Sequence, residues 1–192
     1  QRVEQMQLEY ELHQAVDQRQ WRVQFQPVAA LESRQLVACE IKLSWMNPLR
    51  GELLLDEFLP IAEESGLAPV IFRWFWQQAL ERVANMNVNQ REAVKLLLPV
   101  SPSLLMQEGG VEWITGIVQA NGIAPEQVFV ELPESSFAVR HTQLSSVLNQ
   151  LRKQGFHLIL DNFGTGFAPL KLLRDIPYSL IRLGDLFVSA IK

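Results

Sequence analysis

From residue 95 onward the chain alternates short apolar runs with amphipathic stretches, and this alternation limits the folds open to it more than any other feature. Residues 95–100, 128–132, 158–160 and 180–183 each read as a buried strand. Residues 111–120, 144–154 and 167–174 lie between them and read as helices, the second stopping at Gly155. Strand, helix and strand repeated in units of roughly 30 residues predict a parallel α/β sheet, open or wound into a barrel. The first part of the chain differs. Residues 1–20 are polar and heptad-like, with Val3, Met6, Tyr10, Leu12 and Val16, and predict a helix. Residues 21–28 and 36–45 alternate as strands around a polar turn at Glu32-Ser33-Arg34, a connection short enough to make them antiparallel neighbours. Asp56 is the expected N-cap of a helix over 57–65 that ends at Gly66. Residues 70–86 carry Ile71, Phe72, Phe75, Ala79, Leu80 and Val83 at helical spacing. In Trp74-Phe75-Trp76, Phe75 is expected to pack inward and at least one tryptophan to be exposed, with plain barrel packing favoured over a partner surface.

With 192 residues, 48% of them hydrophobic, the chain is long enough for one sizeable core. A formal net charge of -4 gives no general attraction to nucleic acid or anionic lipid. The single cysteine, Cys39, excludes an internal disulfide and a multi-cysteine zinc site. No apolar run reaches the roughly 20 residues that span a bilayer. His13, His141 and His157 share no metal-ligand spacing, and His157, opening a strand, is expected to be structural. The chain starts on Gln1, so it is expected to be a piece of a longer protein with further domains upstream.

One strand leads into chemistry. The apolar run of 157–160 ends at Asp161-Asn162-Phe163-Gly164-Thr165-Gly166-Phe167. An acidic residue and a glycine-punctuated turn after a buried parallel strand mark a place for a metal or a phosphate. Asn162 stands where a second carboxylate is expected.

Six stretches, in order and spacing, resemble one family: Gln26-Pro27, Glu40-Ile41-Lys42, the LLLDEFLPIAEESG stretch that ends at Gly66, Glu131-Leu132-Pro133-Glu134, the stretch from Asp161 to Gly166, and Ile181-Arg182-Leu183-Gly184. The chain resembles the EAL domain of bacterial cyclic di-GMP signalling. The resemblance implies a modified (β/α)8 barrel with an antiparallel first strand, here C-terminally incomplete by two strand–helix units. It also implies a connector helix over 1–20, an EAL domain over 21–192, and an ancestral phosphodiesterase in which two divalent cations activate water for attack on a phosphodiester. A cytoplasmic domain of a membrane-anchored multidomain protein, following a GGDEF domain, is the implied setting.

The departures from the family pattern bear on activity. The signature Glu-Ala-Leu reads Glu40-Ile41-Lys42, and the phosphate-binding arginine two residues on is Ser44. Pro99 replaces an asparagine ligand and offers no side-chain donor or acceptor. Glu131 and Asp161 are kept, but the next aspartate is Asn162, a weaker ligand for hard cations and no general base. Lys-Ile-Asp reads Arg182-Leu183-Gly184, and Asp185 is one position out of step. Gln26, Glu40, Glu131 and Asp161 are the expected vestigial ligand-binding residues, Gln26 toward a guanine. Lys42, Ser44 and Arg182 are either a rebuilt anion site or solvated groups round a vestigial pocket. Ala168-Pro169 replaces the serines of the loop that couples dimerisation to catalysis in active relatives. The expectation is a catalytically inactive domain with no metal or cofactor. It regulates through a protein partner, with RNA reached indirectly as in the CsrD-like subtype, and with a homodimer as its own assembly. A non-hydrolysing cyclic di-GMP receptor and a residual metal-dependent phosphodiesterase are the alternatives.

Overall fold

The computed structural model describes residues 2–86, 94–164, 174 and 176–184. Helix α1 (Arg2–Gln18) leads into the antiparallel hairpin of β1 (Trp21–Ala29) and β2 (Leu36–Asn47). A short strand, β3 (Gly51–Leu54), folds back on the end of β2, and α2 (Leu55–Glu64) and α3 (Ala68–Ala84) follow. The chain then runs β4 (Lys95–Pro99), α4 (Pro102–Met106), α5 (Gly110–Ala120), β5 (Val128–Pro133), α6 (Phe137–Lys153), β6 (His157–Phe163) and β7 (Leu180–Leu183). The sheet order is β1-β2-β4-β5-β6-β7, and every pair from β2·β4 onward is parallel. The antiparallel first strand and the parallel remainder are as expected.

The strands alternate between two interiors. On the helix side, Ile41, Leu43, Trp45, Leu98, Val130, Leu132, Leu158 and Leu160 pack against Phe58, Phe72, Phe75, Trp76, Ile114, Val118, Leu148 and Leu151, all buried in one core. Each such side chain contributes about 1.5–3 kcal/mol by leaving water. Leu12 and Ala15 tie α1 into the same core. On the concave side, Ala38, Leu97 and Ile159 form a separate apolar cluster with Val28 and Phe129. Two residues further along the same strands come Glu40, Pro99, Glu131 and Asp161, so the polar groups sit on top of an apolar floor at the strands' C-terminal ends.

Several local expectations are corrected. Asp56 lies inside the first turn of α2 rather than capping it; the N-cap is Leu54, whose N–H is accepted by Glu57 Oε2 at 2.6 Å. This is the side-chain half of a capping box, and Asp56 and Glu57 also favour the positive end of the helix dipole. Helix α3 starts at Ala68, with Pro69 in its first turn, and α6 starts at Phe137. Strand β3 and helix α4 were not expected. Between α4 and α5 the backbones touch at Gly110, where a Cβ would stand 2.2 Å from the Leu104 carbonyl oxygen. Phe75 is buried as expected, but neither neighbouring tryptophan is exposed. Trp76 is fully buried and donates its indole N–H to the Pro99 carbonyl at 3.0 Å, while Trp74 packs half-buried against the core. His157 is part of the structure's floor: it stacks on Phe129 at 4.4 Å and its Nδ1 lies 2.9 Å from Ser179 Oγ. The helix expected over 167–174 falls largely outside the described residues, as do Ala168, Pro169 and Asp185.

Candidate functional site

The C-terminal ends of β2, β4, β5, β6 and β7 and the start of α2 surround a cavity of about 260 Å³. Its polar lining includes Gln24, Glu40, Lys42, Ser44, Asp56, Glu131, Asp161, Asn162 and Arg182. Its apolar wall includes Leu54, Leu55, Leu59 and Pro99. Parallel register brings the acidic residues together: Pro99 pairs with Glu131, and Pro133 with Asp161. Between Leu160 and Phe163, β6 carries one residue more than β7 opposite it. The extra residue makes a bulge at the rim, and Asn162 takes φ +54 there, a conformation that asparagine tolerates better than most residues. The bulge lets Asp161 and Asn162, adjacent in sequence, both line the cavity.

Arg182 is the hub. Its Nη1 donates to Glu40 Oε1 at 2.9 Å and lies 3.5 Å from Asp161 Oδ1, and its Nη2 donates to Glu131 Oε1 at 2.6 Å. A planar guanidinium with donors on two sides suits several carboxylates at once. Lys42 adds a fourth contact, its Nζ 3.6 Å from Glu40 Oε2. Burial pushes the Glu131 carboxyl up to about 7; Arg182 pulls it down, and Glu40 and Asp161 push it up again. Burial also raises Asp161, against the pull of Arg182 and the backbone N–H of Asn162. Burial works against the charge on Arg182, but Glu131, Asp161 and Glu40 outweigh it and hold the proton more firmly. Three carboxylates thus share one guanidinium, and Glu131 is the most buried of them at 5% exposed.

The remaining substituted positions are tied to other groups. Ser44 is buried and donates to Glu52 Oε1 at 2.7 Å; Arg22 and Gln24 also bond Glu52, at 3.4 and 3.3 Å. Asn162 Nδ2 donates to Asp56 Oδ2 at 3.4 Å. Gly184 contributes only its backbone N–H, which bonds the Phe163 carbonyl at 3.1 Å. Gln26 is exposed and sits opposite Glu40 in the hairpin register; Gln24, on the same face, is the glutamine that lines the cavity. Lys42, Ser44 and Arg182 all line the cavity, and each faces a carboxylate: Glu40, Glu52 and, for Arg182, Glu40 and Glu131. Two participants were not anticipated. Glu52 lies on the unexpected β3, and Glu134, 1% exposed, accepts the Gly164 N–H at 3.0 Å and anchors the turn after β6.

The donors among the described residues do not fit a pair of divalent cations. Pro99 and Gly184 supply no side-chain ligand, Asn162 is a neutral amide bonded to Asp56, and the three carboxylates are bridged by Arg182. Among the described residues no group of three or more His, Cys, Asp or Glu is spaced to hold a metal ion.

The EAL domain family model matches residues 9–192. The cyclic di-GMP phosphodiesterase NbdA of Pseudomonas aeruginosa is 26% identical over 188 residues, covering 98% of this chain and 24% of that protein. The EAL enzyme Bd1971, solved in a cAMP- and cyclic-di-GMP-bound form, has a TM-score of 0.86 at 23% identity over 98% of this chain and 52% of its own. The FimX EAL domain from Pseudomonas aeruginosa bound to c-di-GMP has a TM-score of 0.78 at 24% identity, covering 96% of this chain and 74% of its own. At these identities the structural likenesses establish the fold, a TIM-like barrel with a mostly parallel sheet. The chain spans about a quarter of the length of the curated relatives it matches. Among the described residues no helix is long and apolar enough to cross a membrane.

Proposed function

The chain belongs to the EAL domain family of cyclic di-GMP signalling, and we propose that it is a member without turnover that acts as a regulatory interaction module. One observation carries this reading: the Arg182 guanidinium holds Glu40, Glu131 and Asp161, three of the four described carboxylates that line the cavity. Hydrolysis of a phosphodiester needs an activated water and positive charge free to meet the transition state. Among the described residues, the two cations that line the cavity, Lys42 and Arg182, are both engaged by Glu40. The work of such a domain is then done by its surface, through a protein partner or a second copy, with any effect on RNA passing through that partner. A cytoplasmic setting in a membrane-anchored multidomain parent belongs to the same proposal.

A non-hydrolysing cyclic di-GMP receptor is the second reading, favoured by the mixed polar and apolar lining of the cavity. Charge speaks against it. Among the described residues four carboxylates, Glu40, Asp56, Glu131 and Asp161, line the cavity against two cations, and the family's phosphate arginine is a serine bound to Glu52. A dianionic ligand meets a formal excess of like charge.

The test is chromatography of cyclic di-GMP incubated with the purified protein in Mg2+ or Mn2+, with calorimetric titration of the same ligand. No product and no heat are expected. Product above the buffer rate refutes the proposal, and saturable micromolar binding without product replaces it with the receptor. Affinity capture from cells that returns no specific protein counts against the interaction role.

A further inference from the structure

Glu40, Glu131 and Asp161 at the barrel mouth already have a cation. This inference deepens the reading of a domain without turnover and rests on it. Arg182 projects from β7 into the concave side and stands 2.6, 2.9 and 3.5 Å from Glu131, Glu40 and Asp161. A hard divalent ion needs about six oxygen ligands at roughly 2.0–2.6 Å. To reach Glu40 Oε1 and Glu131 Oε1 it must displace the guanidinium, which cannot lose its proton to leave as a neutral group. The displaced charge would then face the incoming ion across a small cavity whose other cation, Lys42, is 3.6 Å from Glu40. The missing side-chain ligands at Pro99 and Gly184 leave the ion little to gain in exchange.

We propose that Arg182 is the permanent cation of this site. It closes the carboxylate cluster to divalent metal and makes the fold indifferent to metal supply. It is also what allows Glu131, 5% exposed, to remain in the barrel mouth. Arg182 is thus a positioning residue, acting through the three carboxylates.

The experiment is a Mn2+ titration of the purified protein followed by the paramagnetic resonance signal of free Mn2+, with melting curves in Mn2+ and in chelator. All added Mn2+ is expected to stay free into the millimolar range, and the Tm to be the same in both media. Arg182→Gln is expected to lower the Tm by roughly 5 °C, because the cation of a partly buried ion-pair cluster is removed. The double variant Arg182→Gln with Glu131→Gln is expected to recover at least half of that loss, since it removes the charge left unbalanced. If the single variant does not fold, folding of the double variant carries the test. Saturable retention of Mn2+ below millimolar by the unmodified protein overturns the inference. So does an unchanged Tm in Arg182→Gln, or a double variant no more stable than the single one. Retention of Mn2+ without hydrolysis of cyclic di-GMP overturns this inference alone, whereas hydrolysis also overturns the reading beneath it.

Discussion

Replacing Glu131 by glutamine should change how the protein's stability depends on pH. Glu131 has an ordinary carboxyl value of 4.5 in the unfolded chain and about 7 in the folded protein, raised by burial against the pull of Arg182. Between these values the folded state binds more protons than the unfolded state, so stability falls as pH rises through the window. At about 1.4 kcal/mol per pKa unit, the fall is worth roughly 3 kcal/mol between pH 4.5 and 7.5. Asp161, also raised, adds to the same trend. His157, lowered by burial and by Arg152 and Lys95, opposes it, and the comparison with a variant removes that contribution. Glutamine keeps the side chain's length and an acceptor for Arg182 but carries no proton to exchange. The stability of Glu131→Gln relative to the unmodified protein should therefore rise by about 3 kcal/mol from pH 4.5 to 7.5. Urea unfolding followed by tryptophan fluorescence, at half-unit steps of pH, measures the difference directly; five tryptophans supply the signal. A difference flat within about 0.5 kcal/mol, or one of opposite slope, refutes the account of Glu131 as a carboxyl held in a desolvated, charge-crowded place.

Two further outcomes are expected. Asn47→Ala removes a 2.8 Å bond to Glu11 Oε2 and the acceptor for the N–H groups of Leu49 and Arg50, so unfolding should become easier by about 2–3 kcal/mol in the same urea assay; a loss below about 0.5 kcal/mol would show that the turn between β2 and β3 holds without it. Ser44→Arg places a guanidinium beside Glu52, which the serine hydroxyl now meets at 2.7 Å, so the new cation should pair there and calorimetry should detect no gain in cyclic di-GMP affinity; a gain would show that position 44 alone decides whether phosphate is held.

The strands were legible where apolar runs and short connections speak for themselves, as in β1 and β2 or in the parallel series from β4 to β7. The short elements were not. Strand β3 has four residues and α4 five, too few for either period to show. The start of α2 was misplaced because Leu54 carries no capping oxygen and its N–H is satisfied by Glu57 instead. Full burial of Trp76 was not legible in Trp74-Phe75-Trp76, because only the folded chain supplies the Pro99 carbonyl that satisfies its N–H. At the site, the individual substitutions were readable, position by position, through the family resemblance. What they add up to was not. Arg182 is 142 residues from Glu40 and 51 from Glu131 in sequence, and no local pattern announces that one guanidinium will serve both. The role of Glu52 was hidden for the same reason, since it depends on β3 folding back beside Ser44.

The contact between Asn162 and Asp56 limits the order in which this barrel mouth can change. An aspartate at 162 would set two negative oxygens against each other at about the 3.4 Å now spanned by an N–H donor. That substitution, made first, costs stability before any cation is gained to offset it. Made after a neutral residue has replaced Asp56, it does not. Arg182 imposes a similar order, because a new ligand at 99 or 184 serves nothing while the guanidinium is seated. Under the proposed reading, a paired-carboxylate loop in this sequence would meet Asp56 at position 162 and the seated guanidinium of Arg182, and replacing either residue gives up an interaction at the mouth.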